Sequence, residues 1–458
     1  MQTFLAPNEH CLLIVKEIVN RLKDPENVKA IILDPENRNP DPLFHEYPWG
    51  DLSFSGGYPA ILLLITELDR LFPDEKWDLV AHSYVLKIKD CIEKQGITTL
   101  SLFSGLAGIC FAVSQASRGG TRYQKLLNTL NDHLIQGMER HYFIPFREDL
   151  QNGKSIAMFL YDVIQGITGI GTYGLTQLPN PTFVQVIQEI LHLLVGLTGK
   201  MIVEGVQVPA WYQSLEVQIM EDDKKQYPKG NFNLGLSHGI PGVLAFLSVA
   251  GLHGITIQGQ KEAMQKISDW LKDRRRYAKG SFFWESRIRF EDEIANEPQK
   301  PYVQGRDAWC YGTPGVASSL FLAGKALQDE GLKEFAVESL RSVFHRKPEE
   351  WNLTGPTFCH GISGLLLITH QIAQQTTFLD LEERVRELKG TLMQFYNPQF
   401  PFGFKNMELC KSGGYFEINN LGFLEGSVGV LLTLLTVESL TSWWHAPFLV
   451  SDGINHEK

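Results

Sequence analysis

Residues 237–252 read SHGIPGVLAFLSVAGL. A Gly-x-x-Gly pair opens the stretch, and a run that is apolar nearly all round follows it. A helix without a polar face is a buried helix. The glycines let the backbone turn sharply at the helix start and pack closely against its neighbours. The arrangement recurs along the chain: GLAG at Gly105–Gly108, GITG at Gly166–Gly169, GIPG at Gly239–Gly242, GTPG at Gly312–Gly315, GISG at Gly361–Gly364 and GSVG at Gly426–Gly429. A degenerate copy, Gly56-Gly57-Tyr58-Pro59, leads into AILLLI, with Pro59 where a second glycine would stand. The first glycines fall at 56, 105, 166, 239, 312, 361 and 426, so the gaps are 49, 61, 73, 73, 49 and 65 residues.

Each gap has room for two helices. Between the motifs lie charged, amphipathic segments such as KEAMQKISDWLKDRRRY and LKEFAVESLRSVFHR, which read as outer helices with one wet face. Each repeat is then one inner and one outer helix. Stacked repeats either run on as an open array or close into a ring. Such apolar inner helices favour closure, because an open array leaves part of that surface in water. The expected fold is all-α: an α/α toroid of seven inner and seven outer helices, forming one domain over residues 1–458. Two stretches, 202–233 and 279–305, carry alternating or β-branched segments and are expected as irregular or strand-bearing excursions on the rim. If the repeats are equivalent, the mouths before all seven glycine pairs open at one end of the ring.

Composition narrows the function. The chain has 458 residues, 42 basic and 52 acidic, for a net charge of −10. That balance weighs against nucleic acid as a partner, since phosphate contacts need clustered cations. Hydrophobic residues at 43% and charged residues at 21% match globular usage and exclude a long disordered chain. Length alone would suggest about three domains; the repeats argue for one. The most apolar window, Leu421–Val437, carries Glu425 and is too short for a membrane span. The opening MQTFLAPNEH lacks the basic start and apolar run of a signal peptide. Six cysteines, none in a Cys-x-x-Cys, then read as reduced thiols in a cytoplasm. Cys11, Cys91, Cys110 and Cys410 read as ordinary buried thiols.

The mouths hold the chemistry. Cys310 lies two positions before Gly312 and Cys359 two before Gly361, so the thiols share a register in adjacent repeats. His360 and His238 each stand directly before a first glycine. Asp162 lies four before Gly166, Tyr311 directly before Gly312, and Arg306 four before Cys310. Two thiols and an imidazole suit Zn2+, and a catalytic zinc uses three protein ligands with one open position. Cys310, Cys359 and His360 would supply the three. The bland alternative is small residues where inner helices crowd. Two thiolates already neutralise the metal, which disfavours Lewis-acid work on carbonyls and favours holding a substrate thiol as an electron-rich thiolate. A free thiol, with a pKa near 8.5, is only a few per cent ionised at neutral pH. Addition of that thiolate to an activated alkene also needs a proton donor, and His238 stands at the next mouth. The bland reading of His238 is a helix-start histidine bonded to backbone.

SHGIPG at Ser237–Gly242, WCYGTPG at Trp309–Gly315 and CHGISG at Cys359–Gly364 together resemble the lanthionine synthetase C family of lantibiotic cyclases, in order and spacing, over nearly the whole chain. The resemblance implies an α/α toroid. It implies Cys310, Cys359 and His360 as zinc ligands, His238 as acid or base, Asp162 as an orienting or assisting residue, and Arg306 and Tyr311 as further active-site residues. The implied substrate is a dehydrated precursor peptide, leader plus core. Its cysteine thiols add to dehydroalanine or dehydrobutyrine to form thioether rings. The family also admits a synthetase complex with a dehydratase and a membrane transporter, hence peripheral membrane association. Two rivals stand beside this reading. One is a relative that adds glutathione or another thiol to dehydrated residues; the other is a helical scaffold that binds peptides without catalysis.

Overall fold

Glycine begins the inner helices. In the computed structural model, which describes residues 9–40, 47–278, 280–295, 305–409, 414–438 and 444–453, Gly105, Gly166, Gly239, Gly312 and Gly361 are the N-caps of Leu106–Ala116, Ile167–Thr176, Ile240–Leu252, Thr313–Leu327 and Ile362–Ala373. Residues 1–8 of the opening stretch, Cys410, and positions 279 and 296–304 of the second excursion lie outside the described residues. The first inner helix, Tyr58–Leu71, is capped by Gly57 rather than Gly56. The register of that repeat therefore shifts by one, and Ala60, not Pro59, takes the second-glycine position. Pro59 occupies the first turn, where its missing N–H costs nothing. The seventh inner helix is Ser427–Glu438.

The second glycines let segments approach one another. A Cβ added to Gly364 would sit 2.2 Å from the Phe358 carbonyl oxygen and 3.1 Å from Trp309 Cβ. The inner helices touch in chain order, and the last, Ser427–Glu438, touches the first, Tyr58–Leu71. The ring is closed. Buried Ile240, Pro241 and Val243–Ala250 line one such helix on every side.

Outer helices pair with inner ones as the amphipathic segments foretell. Trp77–Gln95, Gln124–Met138, Pro181–Leu197, Gln260–Asp273, Glu330–Val343 and Leu379–Met393 pack on the first six inner helices in turn. Helix Gln260–Asp273 buries Ala263, Met264, Ile267, Trp270 and Leu271, one stripe at helical spacing. The seventh outer helix comes from the opposite end of the chain: Glu9–Asn20 packs on Ser427–Glu438. Residues 444–451 fill the hollow of the ring. Phe448 stacks on Phe358 at 3.7 Å between ring centres, with Phe423 at 4.6 Å and Trp309 at 5.0 Å. Its carbonyl oxygen accepts the Trp309 indole N–H at 2.9 Å.

A backbone circuit ties the seven mouths together. Ser55 N–H donates to Phe103 O at 2.8 Å, Phe103 N–H to Ile164 O at 3.4 Å, and Val163 N–H to Ser237 O at 3.1 Å. Ser237 N–H then donates to Cys310 O at 3.3 Å, Cys310 N–H to Cys359 O at 3.3 Å, and Cys359 N–H to Leu424 O at 2.8 Å. Phe423 N–H returns to Ser55 O at 2.8 Å. Buried backbone groups need partners; here the neighbouring repeats supply them, and so set one register for every mouth.

The excursions are strand-bearing as expected, and they are joined. Lys200–Val203 and Val206–Pro209 form an antiparallel hairpin, as do Arg276–Ala278 and Ser281–Phe283. Strand Asn231–Asn233 of the first excursion pairs with Arg287–Arg289 of the second. A third hairpin, Asn406–Leu409 with Tyr415–Ile418, was not foreseen. Cys11, Cys91 and Cys110 are buried free thiols, as expected. Among the described residues no helix is long and apolar enough to cross a membrane.

Candidate metal and thiol site

Because Cys310 and Cys359 are backbone-paired neighbours in the circuit, their side chains leave from equivalent points of adjacent repeats. The neighbouring Cys359 thiol, with help from Arg306 and the Tyr311 backbone N–H, holds the Cys310 thiol below its ordinary range. Cys310, together with burial, pushes the Cys359 thiol well up.

The next position in each repeat, directly before the first glycine, forms a second ring of residues: Gly56, Ser104, Gln165, His238, Tyr311, His360 and Glu425. At this position the titratable residues stand in four consecutive repeats. Cys359 Sγ, a ring nitrogen of His360 and a carboxylate oxygen of Glu425 lie within 4.8 Å of one another. His360 Nδ1 stands 3.8 Å from Glu425 Oε1. Burial, then the Arg306 charge, lowers His360 to about 4, so its imidazole is neutral and available as a donor at neutral pH. The Glu425 side chain keeps 47% of its surface and lines the same cavity as Arg306 and Glu408.

Donor type and spacing fit zinc. Bonds of about 2.3 Å to sulfur and 2.0 Å to nitrogen place tetrahedral donors roughly 3.5 Å apart, close to what the side chains already offer. The tightest trio is Cys359, His360 and Glu425, with Cys310 joined through its contact to Cys359. The position of Glu425 directly before Gly426 repeats that of His360 and His238, a signal the sequence carries.

His238 sits one repeat away. Its Nδ1 lies 2.6 Å from Asp162 Oδ2. The buried Asp162 is fixed in turn, since Oδ1 accepts the backbone N–H groups of Gln165 at 2.6 Å and Gly166 at 2.8 Å. Those groups precede the inner helix Ile167–Thr176, whose first N–H groups lack intrahelical partners. The structure thus brings His238 and Asp162 together although 76 residues separate them. Tyr311 lies beside His238, ring centres 6.4 Å apart, and its hydroxyl accepts from Asn233 Nδ2 at 3.1 Å. Burial raises its phenol above the ordinary range.

A cavity of about 450 Å³ opens beside this group, lined by His360, Glu425, Arg306, Thr354 and residues of the third hairpin, among them Glu408 and Tyr415. Arg306 is exposed to it and makes no hydrogen bond or ion pair among the described residues. The neighbouring Asp307 is locked away, 2.7 Å from Arg346, each side chain 2% exposed. That buried pair anchors the segment from which Arg306 projects.

Comparison with known proteins agrees with this geometry. The lanthionine synthetase C-like protein family matches residues 48–448. The nisin biosynthesis protein NisC of Lactococcus lactis subsp. lactis is 27% identical over 447 residues, covering 96% of this chain and 99% of its own length. A solved structure titled nisin cyclase superposes with a TM-score of 0.73 at 25% identity, covering 94% of this chain and 98% of that one. The closed ring, the paired thiols and the family match over most of its length lead to one statement: this chain belongs to the lanthionine synthetase C-like family.

Proposed function

We propose that the protein is a zinc-dependent cyclase. It would add cysteine thiols of a dehydrated precursor peptide to dehydroalanine or dehydrobutyrine, forming lanthionine and methyllanthionine rings. One observation carries the reading: two cysteines from adjacent repeats of this family's fold are joined backbone to backbone, Cys310 N–H to Cys359 O at 3.3 Å, with a His360 ring nitrogen within 4.8 Å of Cys359 Sγ. In this reading Cys310, Cys359 and His360 hold the metal. Bound zinc supplies ionisation of an incoming thiol, which it keeps as a nucleophile.

The chain's own residues do the rest. The cavity over His360 and Glu425 receives the peptide, and Arg306 offers a charge to its backbone or side-chain carbonyl groups. When sulfur bonds to the β-carbon, the π bond of the alkene breaks and the α-carbon must take a proton. His238 gives it from Nε2. Asp162 accepts the Nδ1–H hydrogen bond, which sets the tautomer and steadies the charged ring. Tyr311 packs beside that ring and limits water there. A dehydratase and a membrane transporter are the partners this role calls for, and the reduced thiols suit a cytoplasmic setting.

The test is incubation of the zinc-loaded protein with a dehydrated, cysteine-containing peptide, with free thiols counted before and after. Thiols should disappear without change in peptide mass. Cys310→Ala and Cys359→Ala should each lose stoichiometric zinc and ring formation while keeping the helical circular dichroism. Retention of zinc by both variants would refute the ligand assignment.

A further inference from the structure

We infer that Phe448 is a positioning residue for the metal thiols: segment 444–451 presents its ring to the residues that precede Cys310 and Cys359, and so sets how the two sulfurs stand to one another. The inference rests on the zinc reading above, because a metal is what needs that spacing. Three positions before the first glycine stand Trp309, Phe358 and Phe423 in the fifth to seventh repeats, against Leu102, Val163 and Leu236 in the second to fourth. Phe448 lies on the aromatic side. Its ring stacks on Phe358 at 3.7 Å, tilts against Phe423 at 4.6 Å and meets Trp309 edge-on at 5.0 Å. Trp309 and Phe358 directly precede the two cysteines. Phe423 precedes Leu424, whose carbonyl oxygen accepts the Cys359 N–H at 2.8 Å.

A mere filler needs no direction, and this contact has one: the Trp309 indole N–H donates to the Phe448 carbonyl oxygen at 2.9 Å. The same residues are pinned from another side. A Cβ on Gly364 would lie 3.1 Å from Trp309 Cβ, and one on Gly429 3.1 Å from Phe358 Cβ. Each is thus held between the second glycine of the next repeat and Phe448. The segment itself is tied to the far ends of the inner helices. His253 Nε2, just past Ile240–Leu252, lies 2.6 Å from the Asp452 carbonyl oxygen, and Lys325, near the end of Thr313–Leu327, lies 2.7 Å from the Asp452 carboxylate. Trp444 donates its indole N–H to Thr436 Oγ1 at 2.6 Å. A close-packed interior transmits displacement rather than absorbing it, and a functional site needs its side chains held to about 0.5 Å. Thinning the ring behind both cysteines should therefore let both sulfurs move.

The experiment compares the full-length wild type with Phe448→Leu and with a control, Phe183→Leu. Phe183 is also buried and also packs edge-on against an aromatic ring, Tyr173 at 5.6 Å, but it lies on the outer helix Pro181–Leu197. Zinc affinity is read by competition with a chromophoric chelator, and sulfur geometry by the absorption of the cobalt(II)-substituted protein. Both variants should lower the denaturation midpoint. Phe448→Leu alone should bind zinc about tenfold weaker and shift the sulfur-to-cobalt absorption. Equal loss of zinc affinity in both variants would reduce Phe448 to a stability residue and overturn the inference, as would an unshifted cobalt spectrum in Phe448→Leu. Should that variant not fold, Trp309→Phe decides, since it keeps a ring and removes the N–H given to Phe448: a shifted spectrum supports the inference and an unshifted one sinks it. A wild-type protein that takes up no stoichiometric zinc removes the zinc reading itself. Bridging of Cys310 to Cys359 by dibromobimane in the metal-free protein then tests Phe448 separately: it should slow severalfold in Phe448→Leu only, and equal rates would overturn the inference.

Discussion

At the scale of single residues, His238 depends on a partner remote in sequence. Asp162 is immobilised by two backbone N–H groups and holds Nδ1 at 2.6 Å. His238→Asn keeps a polar group near Asp162 but cannot exchange a proton at Nε2. The variant should bind zinc as the wild type does and form rings roughly 10²–10⁴-fold more slowly, the usual worth of a positioned acid or base. Loss of zinc on this substitution would show that His238 serves the metal instead. Register alone places Cys310 and Cys359 at equivalent points, and His238, His360 and Glu425 each directly before a first glycine. What register cannot tell is which mouth residues meet; Asp162 lies against His238, and Glu425 near His360.

At the scale of elements, the glycine pairs act by allowing close approach. A Cβ at Gly364 would press on the Phe358 carbonyl at 2.2 Å, in the segment that carries Cys359 and His360. Gly364→Ala should therefore cost about 1–3 kcal/mol of stability and weaken zinc binding with it. Gly390→Ala, in the outer helix Leu379–Met393 with nothing within 4 Å of the added carbon, should be neutral or stabilising by a few tenths of a kcal/mol. Denaturant titration and chelator competition on the two variants check the pair; equal behaviour would deny the close-approach argument. The first repeat shows the limit of pattern matching. Two successive glycines offered two registers, and the N-cap at Gly57 chose between them. The third hairpin, Asn406–Leu409 with Tyr415–Ile418, had a signal in the glycine pair Gly413–Gly414 ahead of an alternating strand, yet strands so short are stabilised by what they cover.

At the scale of the whole molecule, closure comes from both chain ends. Helix Glu9–Asn20 covers the last inner helix, and residues 444–451 fill the hollow beneath the site. Phe448 is fully buried against Phe358 and Trp309, the residues just before Cys359 and Cys310. Phe448→Ala should cost about 3–5 kcal/mol, the range for a large ring removed from a packed core, measured by chemical denaturation. A loss below about 1 kcal/mol would mean that the ring stands without its plug. The chemistry is also unevenly placed. Four consecutive repeats carry His238, Tyr311, His360 and Glu425, while the other three offer Gly56, Ser104 and Gln165 at the same position.

The sequence by itself determined the repeat, the two helix types, the closed helical class and the common register of Cys310 and Cys359. These follow from local periodicity and from glycines whose effect is confined to neighbouring atoms. Only the tertiary structure decided the partners: Asp162 with His238, Glu425 with Cys359 and His360, the first excursion with the second, and helix Glu9–Asn20 with the last inner helix. Such pairings form between segments far apart along the chain, where contact depends on how every intervening repeat has packed, and local patterns carry no record of that sum.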